Sequence, residues 1–313
     1  MSANSKKFRL ITRSDFDGLV CAVLLQHLDM IEDILFVHPK DMQDGKIVVS
    51  ENDISTNLPY VAGIHMAFDH HLSEALRNTD VDAGKHVIEP DAPSAARVVY
   101  NYYGGLKAFP ASWNEMMAAV DKGDSAQFNR QEVLHPERWD LLNFLMDART
   151  GLGRFRDFRI SNYNLMMELI ALCKTQSIAE IMQNPDVKER VDLYFEHEEK
   201  CKEQIRRCAS VHQNLVVLDL RHEETIFAGN RFLIYALFPE TNISIHVLWG
   251  LKNQNTVFAT GKSILNRTSN TNIGPLMLEF GGGGHENAGT CQVENDRAEQ
   301  VLATLIARIN QDG

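Results

Sequence analysis

Ile64-His65-Met66-Ala67-Phe68-Asp69-His70-His71 is a short apolar run that ends in three side chains able to handle protons or metal ions. A second run, Phe8 to Ile11, leads in the same way to Asp15-Phe16-Asp17-Gly18. Buried Asp and His need partners, so three of them at the end of a buried strand require a hydrogen-bonded network or a ligand. In an open α/β sheet, ligands bind beyond the carboxyl ends of the strands. Two strand ends carrying Asp and His can face one site there, and that donor set suits one or two divalent ions.

The flanking pattern supports such a sheet. Phe8 to Ile11 reads as a buried strand and Gly18 to Met30 as an apolar helix. Ile34 to Val37 and Ile47 to Val49 read as further strands, and Ala92 to Tyr103 as a helix entered through Pro93. Strands alternating with helices predict a mostly parallel sheet covered on both faces. From Ala111 to about Met182 the apolar spacing is helical, and Asp186 to His212 reads as one long, charged amphipathic helix. Beyond it lie strand candidates at Leu215–Leu218, Phe232–Leu237, Ile243–Leu248 and Val257–Ala259. A short helix (Ile273–Glu279), a glycine run, a strand (Thr290–Val293) and a closing helix (Ala298–Ile309) follow. The expected architecture is α/β: an N-terminal parallel-sheet domain with a helical subregion over 1–185, a helical connector over 186–212 and a smaller α/β domain over 213–313.

Several positions carry chemistry. Asp15 and Asp17 share a face if the strand continues to them, and Gly18 allows a tight turn. The same residues also make a good helix N-cap. Asp53, following Ile47–Val49, reads as a carboxylate at a third strand end, and Asp121 and Asp124 form a fourth acidic point after a helical segment. The run Gly281 to Gly284, followed by His285, reads as a flexible loop whose bare N–H groups can cradle phosphate oxygens. Arg149, Arg154, Arg156 and Arg159 lie close together, with Phe155 and Phe158 between them. Guanidinium groups bind phosphate and aromatic rings stack on bases, although a solvated loop held by ion pairs has the same composition.

Composition excludes some functions. A formal charge of −11 over 313 residues argues against a broad basic surface for duplex DNA but not against short phosphorylated substrates. No apolar run reaches the roughly 18 residues of a membrane span. Met1 to Lys7 is short and polar and does not read as a secretory signal. Five cysteines without a C-x-x-C spacing suit free thiols in a reducing cytoplasm.

Together, D-x-D at Asp15 and Asp17, the isolated Asp53, D-H-H at Asp69 to His71, the later Asp and Gly282-Gly283-Gly284-His285-Glu286-Asn287-Ala288-Gly289 resemble the DHH phosphoesterase superfamily. That superfamily includes RecJ-like exonucleases, nanoRNases, linear dinucleotide phosphodiesterases, manganese-dependent pyrophosphatases and exopolyphosphatase-like proteins. The resemblance covers nearly the whole chain, and the glycine motif looks like the DHH-associated substrate-binding domain. It implies a phosphoesterase with two Mn2+ ions, or Mg2+ or another divalent ion, that activate water. Asp15 and Asp17 would each serve one ion, Asp53 would bridge them, and His70 would be a ligand. The last carboxylate would be Asp121 or Asp124. Asp69 would orient the His70 ligand, and His71 would contact the substrate phosphate or a metal-bound water. Gly282, Gly283, Gly284, His285 and Arg267 would hold the substrate's terminal phosphate, with Arg149, Arg154 and Arg156 as further contacts. The implied substrate is a short single-stranded oligonucleotide or a small phosphorylated nucleotide, measured in a cleft between the domains. Polyphosphate is the alternative substrate, and a nucleotide-binding regulator with a weakened site is the non-enzymatic alternative. A homodimer is left open. One departure stands out: where many members have a histidine two or four residues before the first Asp, this chain has Arg13 and Ile11.

Overall fold

The apolar segment Phe8–Arg13 forms β1, and two parallel neighbours, β2 (Ile31–Val37) and β3 (Asp53–Thr56), flank it in a computed structural model describing residues 6–71, Glu74 and 84–313. β4 (Met66–Asp69) and β5 (His86–Ile88) extend the sheet to the order β2-β1-β3-β4-β5, with every pairing parallel. The chain leaves β1 for one side and returns on the other. The crevice beyond the carboxyl ends of β1 and β3 is therefore the topological switch point, where such sheets bind ligands.

Helix α1 (Phe16–His27) enters directly from β1 and is buried at every position from Phe16 to Leu25. A helix apolar on all sides must be enclosed, and α2 (Ala95–Tyr102), α3 (Asn114–Asp124) and α5 (Asn162–Thr175) pack around it, with α4 (Arg138–Met146) against α3. Ser94, not Pro93, caps α2: its hydroxyl accepts from Arg97 N at 3.0 Å.

Helix α6 (Pro185–Cys208) carries the charged amphipathic segment. Internal contacts divide the chain into two compact units, Met1–Gln127 with Pro136–Asp192, and Phe128–His135 with Leu193–Gly313, so the division falls within α6. The second unit holds β6 (Ala209–His212), β7 (Leu215–Asp219), β8 (Ile243–Trp249), β9 (Thr256–Lys262), β10 (Gly283–His285) and β11 (Ala288–Val293). They form one sheet in the order β10-β11-β9-β8-β7-β6, in which only β7 and β8 are parallel. Its core joins Ile243, Ile245, Val247 and Phe258 to α7 (Ile273–Leu278) and α8 (Ala298–Asp312) through Met277, Leu305 and Ile309. Among the described residues no helix is long and apolar enough to cross a membrane, and all five cysteines are free thiols.

Three sequence expectations change. Ile47 to Val49 is not a strand. Ile47 and Val49 pack down on Ile11, Val37, Met42 and Leu58, while Val48 is 83% exposed, so the alternation is real but no neighbouring strand pairs with it. The third strand is Asp53–Thr56 instead. Phe232–Leu237 contains a helical turn, Leu233–Leu237, rather than a strand. The glycine run is not a free loop either. Gly283, Gly284 and His285 pair with Thr290, Gly289 and Ala288 across an antiparallel hairpin. A Cβ on Gly282 would lie 2.1 Å from Thr290 O, so this glycine lets two backbones approach.

Gly18 has the same role at the site. A Cβ there would lie 2.0 Å from the Arg13 carbonyl oxygen, because α1 starts directly against the end of β1. Gly18→Ala is expected to lower unfolding stability by about 1–3 kcal/mol, the usual cost of overpacking. Chemical denaturation reads this directly, and a stability unchanged from the parent would refute the close-approach role.

Candidate metal centre

The carboxyl ends of β1 and β4, the start of α2 and the end of α3 converge on one acid–histidine cluster. Asp17, in the first turn of α1, is 2% exposed and points at the N-terminus of α2. Its Oδ2 accepts from Ala95 N at 3.0 Å and its Oδ1 from Ala96 N at 2.7 Å. Free amides at a helix N-terminus, with the helix dipole behind them, are a ready anion site. Burial and the nearby Asp124 nevertheless lift the Asp17 carboxyl to about 8.

His70 follows β4 directly. Its Nδ1 lies 3.0 Å from the Ala92 carbonyl oxygen, so Nδ1 carries the proton and donates it. Nε2 is then left facing the acids. It is 2.8 Å from Asp124 Oδ2, yet it is buried without an aligned hydrogen bond. Burial alone would lower this imidazole, but Asp124 and Asp17 outweigh it and raise His70 to about 10. Burial also works against the Asp124 carboxylate, and His70 reverses the balance and holds it below the usual range. Asp124 closes α3, and that position depends on Gly123, where a Cβ would lie 2.6 Å from Asn143 Oδ1 on α4.

The ligand-type atoms of Asp17, His70 and Asp124 all lie within 4.8 Å of one another, as do those of Asp69, His70 and His71. Asp69 Oδ1 is 2.7 Å from His71 Nδ1, which raises His71 against the cost of burial, while Asp69 Oδ2 is buried without a partner. Asp69 therefore orients His71, not His70. Two carboxylates and an imidazole whose other nitrogen is fixed by a carbonyl form a donor set suited to Mn2+, Fe2+ or Zn2+.

The β1 side is built differently. Asp15 caps α1, its Oδ1 accepting from Gly18 N at 3.0 Å, and its Oδ2 is 2.9 Å from Arg13 Nε. Burial raises the Asp15 carboxyl, and Arg13 offsets part of that. Ile11 is fully buried in the core, so of the two departure positions only Arg13 reaches the site.

Two expected ligands lie elsewhere. Asp53 begins β3 rather than ending a strand. It is held there by Arg9 Nε at 2.7 Å and by Ser50 N at 2.6 Å, about 10 Å along the strand from the carboxyl end. Asp121 is occupied by Arg97 Nε at 3.0 Å and Ser94 Oγ at 2.8 Å, which leaves Asp124 as the carboxylate in the cluster. The residue at the carboxyl end of β3 is Asn57, which the sequence reading missed. It is buried, has φ +55°, and its Nδ2 lies 3.4 Å from Asp15 Oδ1. Asn tolerates this left-handed conformation better than most residues. Had Asp53–Thr56 been read as the strand, Asn57 would have marked its end.

The arginine-rich segment is partly structural. Arg159 pairs with Asp186, and the buried Arg190 sits 4.0 Å from the Phe158 ring centroid, so Phe158 is engaged and not free to stack on a base. Arg154 lies against Gly151, and Arg156 is exposed. Arg149 pairs with Asp147 at 2.7 Å and helps keep Asp15 charged. In the second unit, His285 and Arg267 are both exposed, with Arg267 Nε donating to the Ile264 carbonyl.

No family model and no curated protein matches this chain. Among solved structures, it is 64% identical to the pGpG-specific phosphodiesterase PggH from Vibrio cholerae, over 98% of this chain and 100% of the other, with a TM-score of 0.84. RecJ from Thermus thermophilus, in complex with Mn2+, is 13% identical over 98% of this chain and 52% of its own, with a TM-score of 0.55. CDC45 from Entamoeba histolytica is 10% identical over 98% and 96%, with a TM-score of 0.51. At 13% and 10% identity, these last two likenesses concern the fold alone.

Without metal, Asp17 and His70 bind protons more tightly in the folded chain than in an unfolded one. Their stabilising contribution is complete at low pH and is lost as pH rises, through about 8 for Asp17 and about 10 for His70. The melting temperature of chelator-treated protein is therefore expected to fall between neutral pH and about 10. His70→Gln should flatten the upper part of that decline. A melting temperature that rises over this range would contradict the assignment.

Proposed function

The chain belongs to the DHH phosphoesterase superfamily, a hydrolase of phosphoric ester bonds, and we propose that it cleaves linear dinucleotides of the pGpG type into mononucleotides with the help of Mn2+. The Asp17–His70–Asp124 cluster at the switch point is the observation that carries this reading. Full-length identity of 64% to a pGpG-specific phosphodiesterase supports the substrate class.

In this proposal Asp17, His70 and Asp124 hold a divalent ion, which when bound acidifies water and offsets charge on the phosphate. The protein's part is orientation. The α2 amides fix the Asp17 carboxylate, and the Ala92 carbonyl keeps His70 Nε2 free of a proton when a cation is present. Asp69 accepts from His71 Nδ1, so a protonated His71 retains its Nε2–H for donation to the phosphate or to the leaving oxygen. Arg149 supplies a further positive charge on the β1 side. Arg267, His285 and the glycine strand at Gly282 to Gly284 are proposed to take a terminal phosphate. β10 is an edge strand and has one side unpaired by the sheet.

Asp17→Asn and His70→Ala should each lower Mn2+-supported pGpG hydrolysis by at least about 100-fold, the scale seen when a transition-state charge partner is removed. Asp53→Asn should leave kcat within about threefold, because Asp53 lies at the opposite end of its strand. Product chromatography with pGpG, longer 5′-phosphorylated RNA and polyphosphate separates the substrates. Full activity in either cluster variant would refute the site. Polyphosphate cleavage without pGpG cleavage would refute the substrate.

A further inference from the structure

We infer that this chain holds one divalent ion, in the Asp17–His70–Asp124 half of the site, and that the Arg13 guanidinium provides the second positive charge beside Asp15. This rests on reading the cluster as a metal centre, and departs from the two-ion arrangement that the superfamily resemblance implies.

Three observations on the β1 side support it. First, both oxygens of Asp15 are engaged: Oδ1 by Gly18 N at 3.0 Å and Oδ2 by Arg13 Nε at 2.9 Å. Asp15 belongs to neither group of converging ligand atoms among the described residues. Second, neither end of β3 offers a carboxylate that could bridge two ions, and Asp69 on β4 is paired with His71. Asp53 is paired with Arg9 at the far end of β3, and the near end carries Asn57. A neutral amide cannot bridge and neutralise two cations as a carboxylate does. Asn57 turns its donor nitrogen toward Asp15, and its Oδ1 is buried without a partner.

Third, the charges balance with one ion. With Asp69 paired to His71 and Asp147 to Arg149, the carboxylates left to balance are Asp15, Asp17 and Asp124, and Arg13 beside Asp15 is a guanidinium that stays protonated at any working pH. One divalent ion and one guanidinium neutralise the three carboxylates. A second ion would leave two uncompensated positive charges in a partly buried site, beside a cation that cannot lose its proton. Arg13 would then act on the substrate as well, placing a planar donor where a phosphate oxygen arrives.

Counting bound metal tests this without relying on turnover. Full-length protein is saturated with MnCl2, desalted and measured for Mn per chain by plasma mass spectrometry, with electron paramagnetic resonance on the same sample. One equivalent with an uncoupled six-line Mn2+ signal is expected. Asp17→Asn should reduce it to near zero, and Arg13→Gln should leave it at one. Two equivalents in the parent, or a spin-coupled signal, would overturn the single-ion inference and leave the hydrolase reading intact. No bound Mn at all would instead overturn the metal-centre reading. One equivalent that survives Asp17→Asn but disappears in Asp15→Asn would place the ion on the wrong side and overturn the inference.

Discussion

The structure of the first unit depends on the buried Asp17 carboxylate and the two α2 amides that hold it. An unpaired charge at that depth would be costly, and helix N-terminal amides are orphan donors in any case. Joining them satisfies both. The join also fixes α1, which leaves β1, against α2, which follows β5. Because both helices start at the carboxyl edge of the sheet, the same interaction brings the β1 acids to the β4 histidine. Gly18 makes the approach sterically allowed, since any side chain there would meet the Arg13 carbonyl.

Around that join the site is asymmetric. On the β4 side, His70 is fixed by a carbonyl at one nitrogen and faces two carboxylates with the other. On the β1 side, Arg13 pairs with Asp15, and Asn57 at the end of β3 turns its amide nitrogen toward the same carboxylate. Burial and the neighbouring Asp124 push the Asp17 carboxyl up, while burial would lower His70 but Asp124 and Asp17 outweigh it and push it up too. Asp69 and His71 form a separate pair beside this cluster, so the two histidines of the triplet have different partners.

Ion pairing also explains the arginine-rich segment. Arg159 with Asp186, and Arg190 against Phe158, anchor the segment to α6 and leave Arg149 as the member whose charge reaches Asp15. In the second unit, the glycine motif gives close backbone packing first. Gly282 and Gly284 let β10 approach β11, and Gly274 lets α7 approach β10, since a Cβ there would lie 2.8 Å from Gly284 O.

By itself the sequence determined the parallel sheet, the strand-end placement of Asp15, Asp17 and Asp69 to His71, and the long helix before a second α/β unit. Those features are local: a hydrophobic period, a turn residue and the chemistry that follows it in the chain. It misplaced Asp53, because Ile47-Val48-Val49 has strand alternation and nothing in the sequence says that no neighbouring strand pairs with it. It left Asp121 and Asp124 undecided, because both follow the same helical segment and only the partners differ: Arg97 and Ser94 for one, His70 for the other. Arg13 and Ile11 were likewise equivalent as departures until the strand's facing put one in the core and the other against Asp15. Tertiary structure decided these points because they depend on which side of a strand faces the crevice and which opposite charge is nearest in space, and the chain brings those partners together from residues far apart in sequence.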